Sequence, residues 1–211
     1  MTDRKRQKAG ILGGTFDPIH NGHLFIAQTA LEEVKLDRVV FVPSGRPPHK
    51  THQWITESEH RLEMLLRAIQ SNPYFECSTC EIDNEKIGYT YDLLNKMKQK
   101  NPDVDFYFIM GADSFMDIKS WYRYKALLTL AGFIVMKRKG YDAQLLDHQA
   151  HHFSQEQQEK IVILDSPKLE ISSSDIRNRV HLGKSIKYLV PEEVERYIEN
   201  NGLYRNGQEC L

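Results

Sequence analysis

Residues 9–24 read AGILGGTFDPIHNGHL, and this stretch decides the fold. Ala9 to Leu12 is a short apolar run of strand type, Gly13-Gly14 stops it, and after Asn21 the residues from Gly22 to Val34 take helical spacing. A strand that passes through a glycine turn directly into a helix opens a parallel α/β unit. The glycines do not follow G-x-G-x-x-G, so the loop is not a dinucleotide fingerprint, and it is no Walker loop either. The Gly-Lys-Ser at 183–185 has Asn178 where the leading glycine of a Walker loop must stand.

Physically, Gly13 and Gly14 let the backbone pass close to a ligand, Pro18 stiffens the turn and Gly22 clears the helix start. That start is expected to present free N–H groups and the positive end of a helix dipole. His20 and His23 add two imidazoles able to converge on one point. One histidine at a helix start is usually a solvated or capping residue. Two of them in a glycine-bounded loop suit a polyphosphate whose charge rises in the transition state.

Outward from this unit the alternation continues. Strand-type runs at Val39–Val42, Phe106–Met110, Phe133–Met136 and Ile161–Leu164 are separated by helical segments. Thr56 with Glu59 three residues on has capping-box spacing for a helix running to about Ser71. Thr90–Lys100 and Ser114–Leu130 follow, then Ser173–Leu182 closing on Gly183, and a last helix opened by Pro191 and closed on Gly202. The expected fold is a Rossmann-like open parallel α/β sheet with helices on both faces and a helical C-terminal end.

The 211 residues correspond to about 1.4 ordinary domains. We therefore expect one domain over 9–204, its helical end at about 173–202, between a basic tail at 1–8 and a second tail at 205–211. With 28 Lys+Arg against 29 Asp+Glu there is no global field to hold nucleic acid or an anionic membrane, so any anion must be met locally. The uncharged run Ala126–Met136 is eleven residues, short of the ~18 of a membrane span. No signal-type apolar stretch follows Met1–Lys8, and three cysteines are too few for a disulfide framework, so the expected compartment is the cytoplasm. Cys77 and Cys80 form a lone C-x-x-C in what reads as a strand over 75–82, facing opposite sides as structural residues. The polar stretch Gln144–Glu159 reads as a surface insertion.

A second loop has the chemistry of the first. Ile171-Ser172-Ser173-Ser174-Asp175-Ile176-Arg177 leaves the last strand and enters a helix. Serine hydroxyls at a helix start can cradle terminal phosphates, and Arg177, one turn in, can add a charge-assisted fork. Alone, Ser-Ser-Ser-Asp is an ordinary capping sequence.

Together the two loops resemble the HxGH nucleotidyltransferase superfamily, with His20 to His23 as its core and I-S-S/T-x-x-I-R as its second signature. Further segments resemble the bacterial nicotinate-mononucleotide adenylyltransferase family: Pro47-Pro48-His49-Lys50, Tyr89-Thr90-Tyr91-Asp92, Gly111-Ala112-Asp113, Trp121-Tyr122 and Tyr188-Leu189-Val190-Pro191-Glu192-Glu193-Val194. The likeness runs from Ala9 to Tyr204. Pantetheine-phosphate adenylyltransferases usually carry threonine at the position of His20, and cytidylyltransferases lack the Trp121 region.

The resemblance implies adenylyl transfer from ATP to nicotinate mononucleotide, with Mg²⁺ carried by ATP and no metal held by the protein. It implies His20, His23 and Arg177 as catalytic residues. For ATP it implies Gly13, Gly14, Thr15, Phe16, Gly111, Asp113, Arg138, Ile171, Ser173 and Ser174 alongside those three. For the mononucleotide it implies His49, Lys50, Tyr89, Thr90, Trp121 and Tyr122. Asp113 is equally a plain helix-start residue, Asp17 reads as a turn-former, and the loop 44–55 is either a cover for the phosphates or a solvated loop. The amide substrate, nicotinamide mononucleotide, and a non-catalytic nucleotide-sensing module stay open as alternatives. Neither a nucleic-acid nor a membrane partner is expected, and a homo-oligomer is left open.

Overall fold

The computed structural model describes residues 6–45, 55–82, 88–137, 143–165 and 169–205. The chain begins with β1 (Gln7–Gly14), α1 (Asn21–Glu33), β2 (Arg38–Pro43), α2 (Ser58–Ile69) and β3 (Phe75–Cys77). It continues through α3 (Thr90–Lys100), β4 (Val104–Gly111), α4 (Ala112–Met116), a 3₁₀ turn at Ile118–Ser120, α5 (Tyr124–Leu130) and β5 (Gly132–Lys137). The last third holds α6 (Ala143–Ala150), α7 (Gln155–Gln158), β6 (Ile161–Asp165), α8 (Ser173–His181) and α9 (Glu192–Asn200). The six strands form one parallel sheet in the order β3-β2-β1-β4-β5-β6. The order reverses between β1 and β4, and ligands of such sheets bind beyond the carboxyl ends of strands at a reversal of this kind. The loop leaving β1 is TFDPIH, residues 15–20. No described helix is long and apolar enough to cross a membrane.

The described residues fall into two compact units. The first spans Met1–Leu12, Ile26–Val40 and Tyr89–Lys168. Its β4 pairs with β1 and β5 in parallel register, Ile11 opposite Phe108 and Phe108 opposite Phe133, so successive apolar residues of central strands are buried on both faces. The second spans Gly13–Phe25, Phe41–Gly88 and Leu169–Leu211. In it α2 buries Arg61, Met64, Leu65, Ala68 and Ile69, a single helical stripe, and α9 buries Val194 and Ile198 one turn apart. Helices α8 and α9 end as expected, with Gly183 (φ 65°) and Gly202 (φ 62°) in the left-handed region just past each helix.

Four local expectations are corrected. Thr56 does not cap α2: the N-cap is Glu57, without a side-chain cap bond, because the buried Thr56 gives its N–H to Asp17 and its carbonyl to Arg61. The segment Ser114–Leu130 is not one helix. It breaks where the Ser120 hydroxyl bonds to both Asp117 oxygens, main chain and carboxylate, and again at Arg123, whose φ of 53° is left-handed. The strand expected over 75–82 stops at Cys77, and Cys80 lies in a turn. The stretch Gln144–Glu159 is no loose insertion: Leu146, Gln149 and Phe153 are buried, and the Gln149 amide donates to the carbonyls of Phe115 and Met116.

Candidate active site

The second unit gathers both signature loops. Phe16 has φ 51°, costly for an aromatic residue, yet its ring is buried, edge-on to His23 and against Phe41. Gly14 is the counterpart of that conformation, since a Cβ there would stand 2.9 Å from the Phe16 ring. Gly22 serves His20 in the same way: a Cβ would lie 3.0 Å from the His20 Nδ1. Both glycines therefore make room for the loop's own rings.

His20 and His23 do not approach a point from two sides but stack, with ring centroids 3.6 Å apart and planes 21° from parallel. His23 Nδ1 accepts the main-chain N–H of His20 at 3.3 Å, which leaves its proton on Nε2 and makes that nitrogen a donor. The expectation of free N–H groups at the start of α1 needs correction. Asn21 N–H donates to the Leu189 carbonyl, and His23 and Leu24 N–H both donate to His20 O, because the chain around 188–189 straps the helix start and the His20 carbonyl turns into it. The Asn21 side-chain amide adds a bond to Tyr188 O at 2.7 Å.

The second loop is fastened to the first. Ser172, not named among the expected site residues, is the N-cap of α8, its Oγ accepting from Asp175 N–H. Ser173 Oγ donates to Pro18 O at 2.9 Å, and the Arg177 guanidinium donates to Asp17 O at 2.8 Å. The Ser174 hydroxyl is exposed, 3.3 Å from that of Ser172. Ile171 packs beside Gly22, and Gly13 is exposed at the strand end.

Beneath the loop lies a buried network that the sequence reading did not find. The Asp17 carboxylate accepts from the Tyr204 hydroxyl at 2.7 Å and from Thr56 N–H at 3.1 Å. Burial first, then the Asp17 charge, raises the Tyr204 phenol well above its ordinary range, so it stays a donor. Arg61, 1% exposed, donates to the carbonyls of Thr15, Ser44, Gly45 and Thr56. Burial lowers its pKa while nearby Asp17 and Tyr204 raise it. An arginine within the apolar stripe of α2 was the one local signal for this hub.

The remaining expected residues belong to the first unit. Gly111 ends β4, and Asp113 is exposed in the first turn of α4. Tyr89 precedes α3 and Thr90 is its first residue. Tyr89 and Tyr122 are 40% and 44% exposed with rings 4.8 Å apart, and half-buried Trp121 meets Phe108 edge-on. These aromatics are not core. His49, Lys50 and Arg138 lie outside the described residues. Burial, then Cys80, pushes the Cys77 thiol up to about 11, which keeps it protonated at neutral pH. Among the described residues no three His, Cys, Asp or Glu side chains group as metal ligands.

The family model described as cytidylyltransferase-like matches residues 11–179, both loops included. A probable nicotinate-nucleotide adenylyltransferase of Moorella thermoacetica is 46% identical over 94% of this chain and 92% of its own length. The chain belongs to the nicotinate-nucleotide adenylyltransferase family. A second such relative, from Clostridium novyi, is 42% identical over 94% of this chain and the whole of its own length. Among solved structures, Plasmodium falciparum nicotinic acid mononucleotide adenylyltransferase complexed with NaAD is similar at a TM-score of 0.78 and 25% identity, covering 94% of this chain and 97% of that one. A putative nicotinate-nucleotide adenylyltransferase from Vibrio parahaemolyticus shares the fold, at a TM-score of 0.69 and 20% identity.

In this adenylyltransferase Arg177 already spends one nitrogen on Asp17 O, so its charge is held at a set place. Arg177→Lys is expected to lower kcat by about tenfold or more, because a single ammonium that holds Asp17 O has no planar fork left to offer a phosphate. Steady-state kinetics with ATP varied would measure it, and a lysine variant at wild-type rate would remove Arg177 from the reaction.

Proposed function

We propose that the chain transfers the adenylyl group of ATP to nicotinate mononucleotide, forming nicotinate adenine dinucleotide and releasing pyrophosphate. The observation that carries this reading is the fastening of the two signature loops, Ser173 to Pro18 O and Arg177 to Asp17 O, around the His20–His23 stack. A nucleotide 5′-phosphate, with a second pKa near ~6, is already an anionic nucleophile at neutral pH, so the reaction needs no general base. Its oxygen attacks the α-phosphorus of ATP while the bond to the bridging oxygen breaks, and pyrophosphate leaves with that electron pair. The protein's task is to position the two phosphates and to stabilise the charge that grows on the α-phosphoryl and leaving oxygens. His23 Nε2–H, His20, Arg177 and the Ser174 hydroxyl are the donors for it. The divalent ion enters with the substrate as MgATP and neutralises part of the polyphosphate charge. Three cysteines, too few for a disulfide framework, support a cytoplasmic location.

For the mononucleotide we assign Trp121 to stack on the pyridine ring, and the main-chain N–H groups near Thr90 and Tyr122 to meet its carboxylate. The amide would set an NH₂ donor against those donors, at a cost of ~1–3 kcal/mol, or about ten- to a hundredfold. Pyrophosphate release from MgATP with each mononucleotide in turn tests both levels. The acid is expected to lead in kcat/KM by at least tenfold. Equal values would remove the substrate choice, and no release with either would remove adenylyl transfer.

A further inference from the structure

The turn between the 3₁₀ segment and α5 carries a feature that adenylyl transfer has not used. Arg123 adopts φ 53°, a left-handed conformation that a long side chain takes only where its surroundings hold it. Its guanidinium lies over two rings at once, 5.0 Å from the centroid of Tyr91 and 5.2 Å from that of Tyr122. Tyr122 in turn stands against Tyr89 and, edge-on, against Tyr91. Tyr89 and Tyr122 leave large parts of their rings in solvent although a core is at hand. The result is an exposed aromatic surface with one cation held against it. A hydrogen bond to Tyr91, then the neighbouring Tyr122, raises the arginine's pKa, so the charge is permanent.

Such a surface has a definite chemical complement, a flat aromatic ring with an anionic group at its edge. The rings offer apolar faces, and arginine stacked on tyrosine keeps its edge N–H groups free of the ring faces, directed in the guanidinium plane. A pyridinium of the same shape without the carboxylate would gain the faces but meet the arginine as a second cation.

We propose that Arg123 is a specificity-determining residue, whose positive charge, held on Tyr91 and Tyr122, favours the nicotinate ring, a pyridinium with a carboxylate at its edge, over the amide ring, a pyridinium without one. This rests on the reading that Tyr89, Thr90, Trp121 and Tyr122 receive the mononucleotide. Arg123 acts through its field and sets the substrate preference. It takes no part in bond making.

The test is kcat/KM for nicotinate and nicotinamide mononucleotides, at low and high salt, in wild type, Arg123→Gln, Arg123→Lys and Arg123→Gly. Losing one nearby exposed charge is expected to lower the acid-to-amide ratio about three- to tenfold in Arg123→Gln. Arg123→Lys should recover part of the ratio. Added salt should erode the wild-type ratio and leave that of Arg123→Gln flat. Glycine accepts the left-handed backbone at no steric cost, so Arg123→Gly separates charge loss from any folding defect and should match the glutamine variant. A ratio unchanged within twofold in both neutral variants, or an equal loss on both substrates, overturns the proposal. Trp121→Ala is measured alongside. If it raises KM for the mononucleotide while the Arg123 variants keep the wild-type ratio, only the Arg123 inference fails. If Trp121→Ala leaves KM for both mononucleotides at the wild-type value, the subsite reading fails and takes the inference with it.

Discussion

His23→Ala is expected to lower kcat by about a hundred- to a thousandfold, the scale of removing one preorganised donor to a developing oxyanion. The ring's Nδ1 is occupied by His20 N–H, so the donor it offers is Nε2–H, and alanine removes that donor outright. The backbone of the loop should survive, since His23 is only half-buried and its neighbours are anchored by Ser173, Arg177 and Asn21. KM for the mononucleotide should therefore move by much less than kcat. His20→Ala should match it in rate but also cost stability, because the His20 ring is 6% exposed and fills the space that Gly22 leaves. Steady-state kinetics with a thermal melt of each variant separates the two. Activity within fivefold of wild type in His23→Ala would end the assignment of a charge-stabilising role.

The second large effect is expected at the buried Arg61. Arg61→Met keeps the apolar stem and removes the guanidinium, leaving the carbonyls of Thr15, Ser44, Gly45 and Thr56 without the donor they share. Replacing a buried charge by an apolar side chain is often tolerated when its partners are replaced as well, but here the partners are main-chain groups and stay. At ~1–3 kcal/mol for the buried Thr56 carbonyl left without a donor, and less for each of the part-buried carbonyls of Thr15, Ser44 and Gly45, we expect a loss of about 3 kcal/mol. For a chain of this size that is roughly 6–12 °C in Tm. Arg61→Lys should recover little, because one ammonium cannot span four carbonyls. The affinity for ATP should fall as well, since Thr15 and the Ser44–Gly45 turn are held through Arg61. A Tm within about 2 °C of wild type would mean that these carbonyls find other donors, and that Arg61 is not the hub of the loop.

Several parts of the molecule were legible because their cause is local. Gly13-Gly14 after Ala9–Leu12 and the helix after Asn21 follow from periodicity and glycine chemistry within a few residues. The ends of α8 and α9 at Gly183 and Gly202 follow from the left-handed preference of glycine. Thr56 misled because its capping-box spacing is real, yet its N–H is taken by Asp17, 39 residues away. The long helix expected over 114–130 failed on Ser120 and Arg123, where side-chain bonds and a strained turn override propensity. The stretch 144–159 looks polar by composition, and only the burial of Leu146 and of Phe153, the latter against Phe133 of β5, makes it part of the core.

What the amino-acid sequence determined alone is therefore the parallel α/β order, the two signature loops and the family, since each is written in residue types at short spacing. What only the tertiary structure decided is how those loops are held. Gly14 and Gly22 make room for Phe16 and His20, and Asp17 is gripped by Arg177 across 160 residues and by Tyr204 across 187. A buried polar group must find its partner wherever the packed chain brings one. Spacing along the sequence carries no record of which residue that will be.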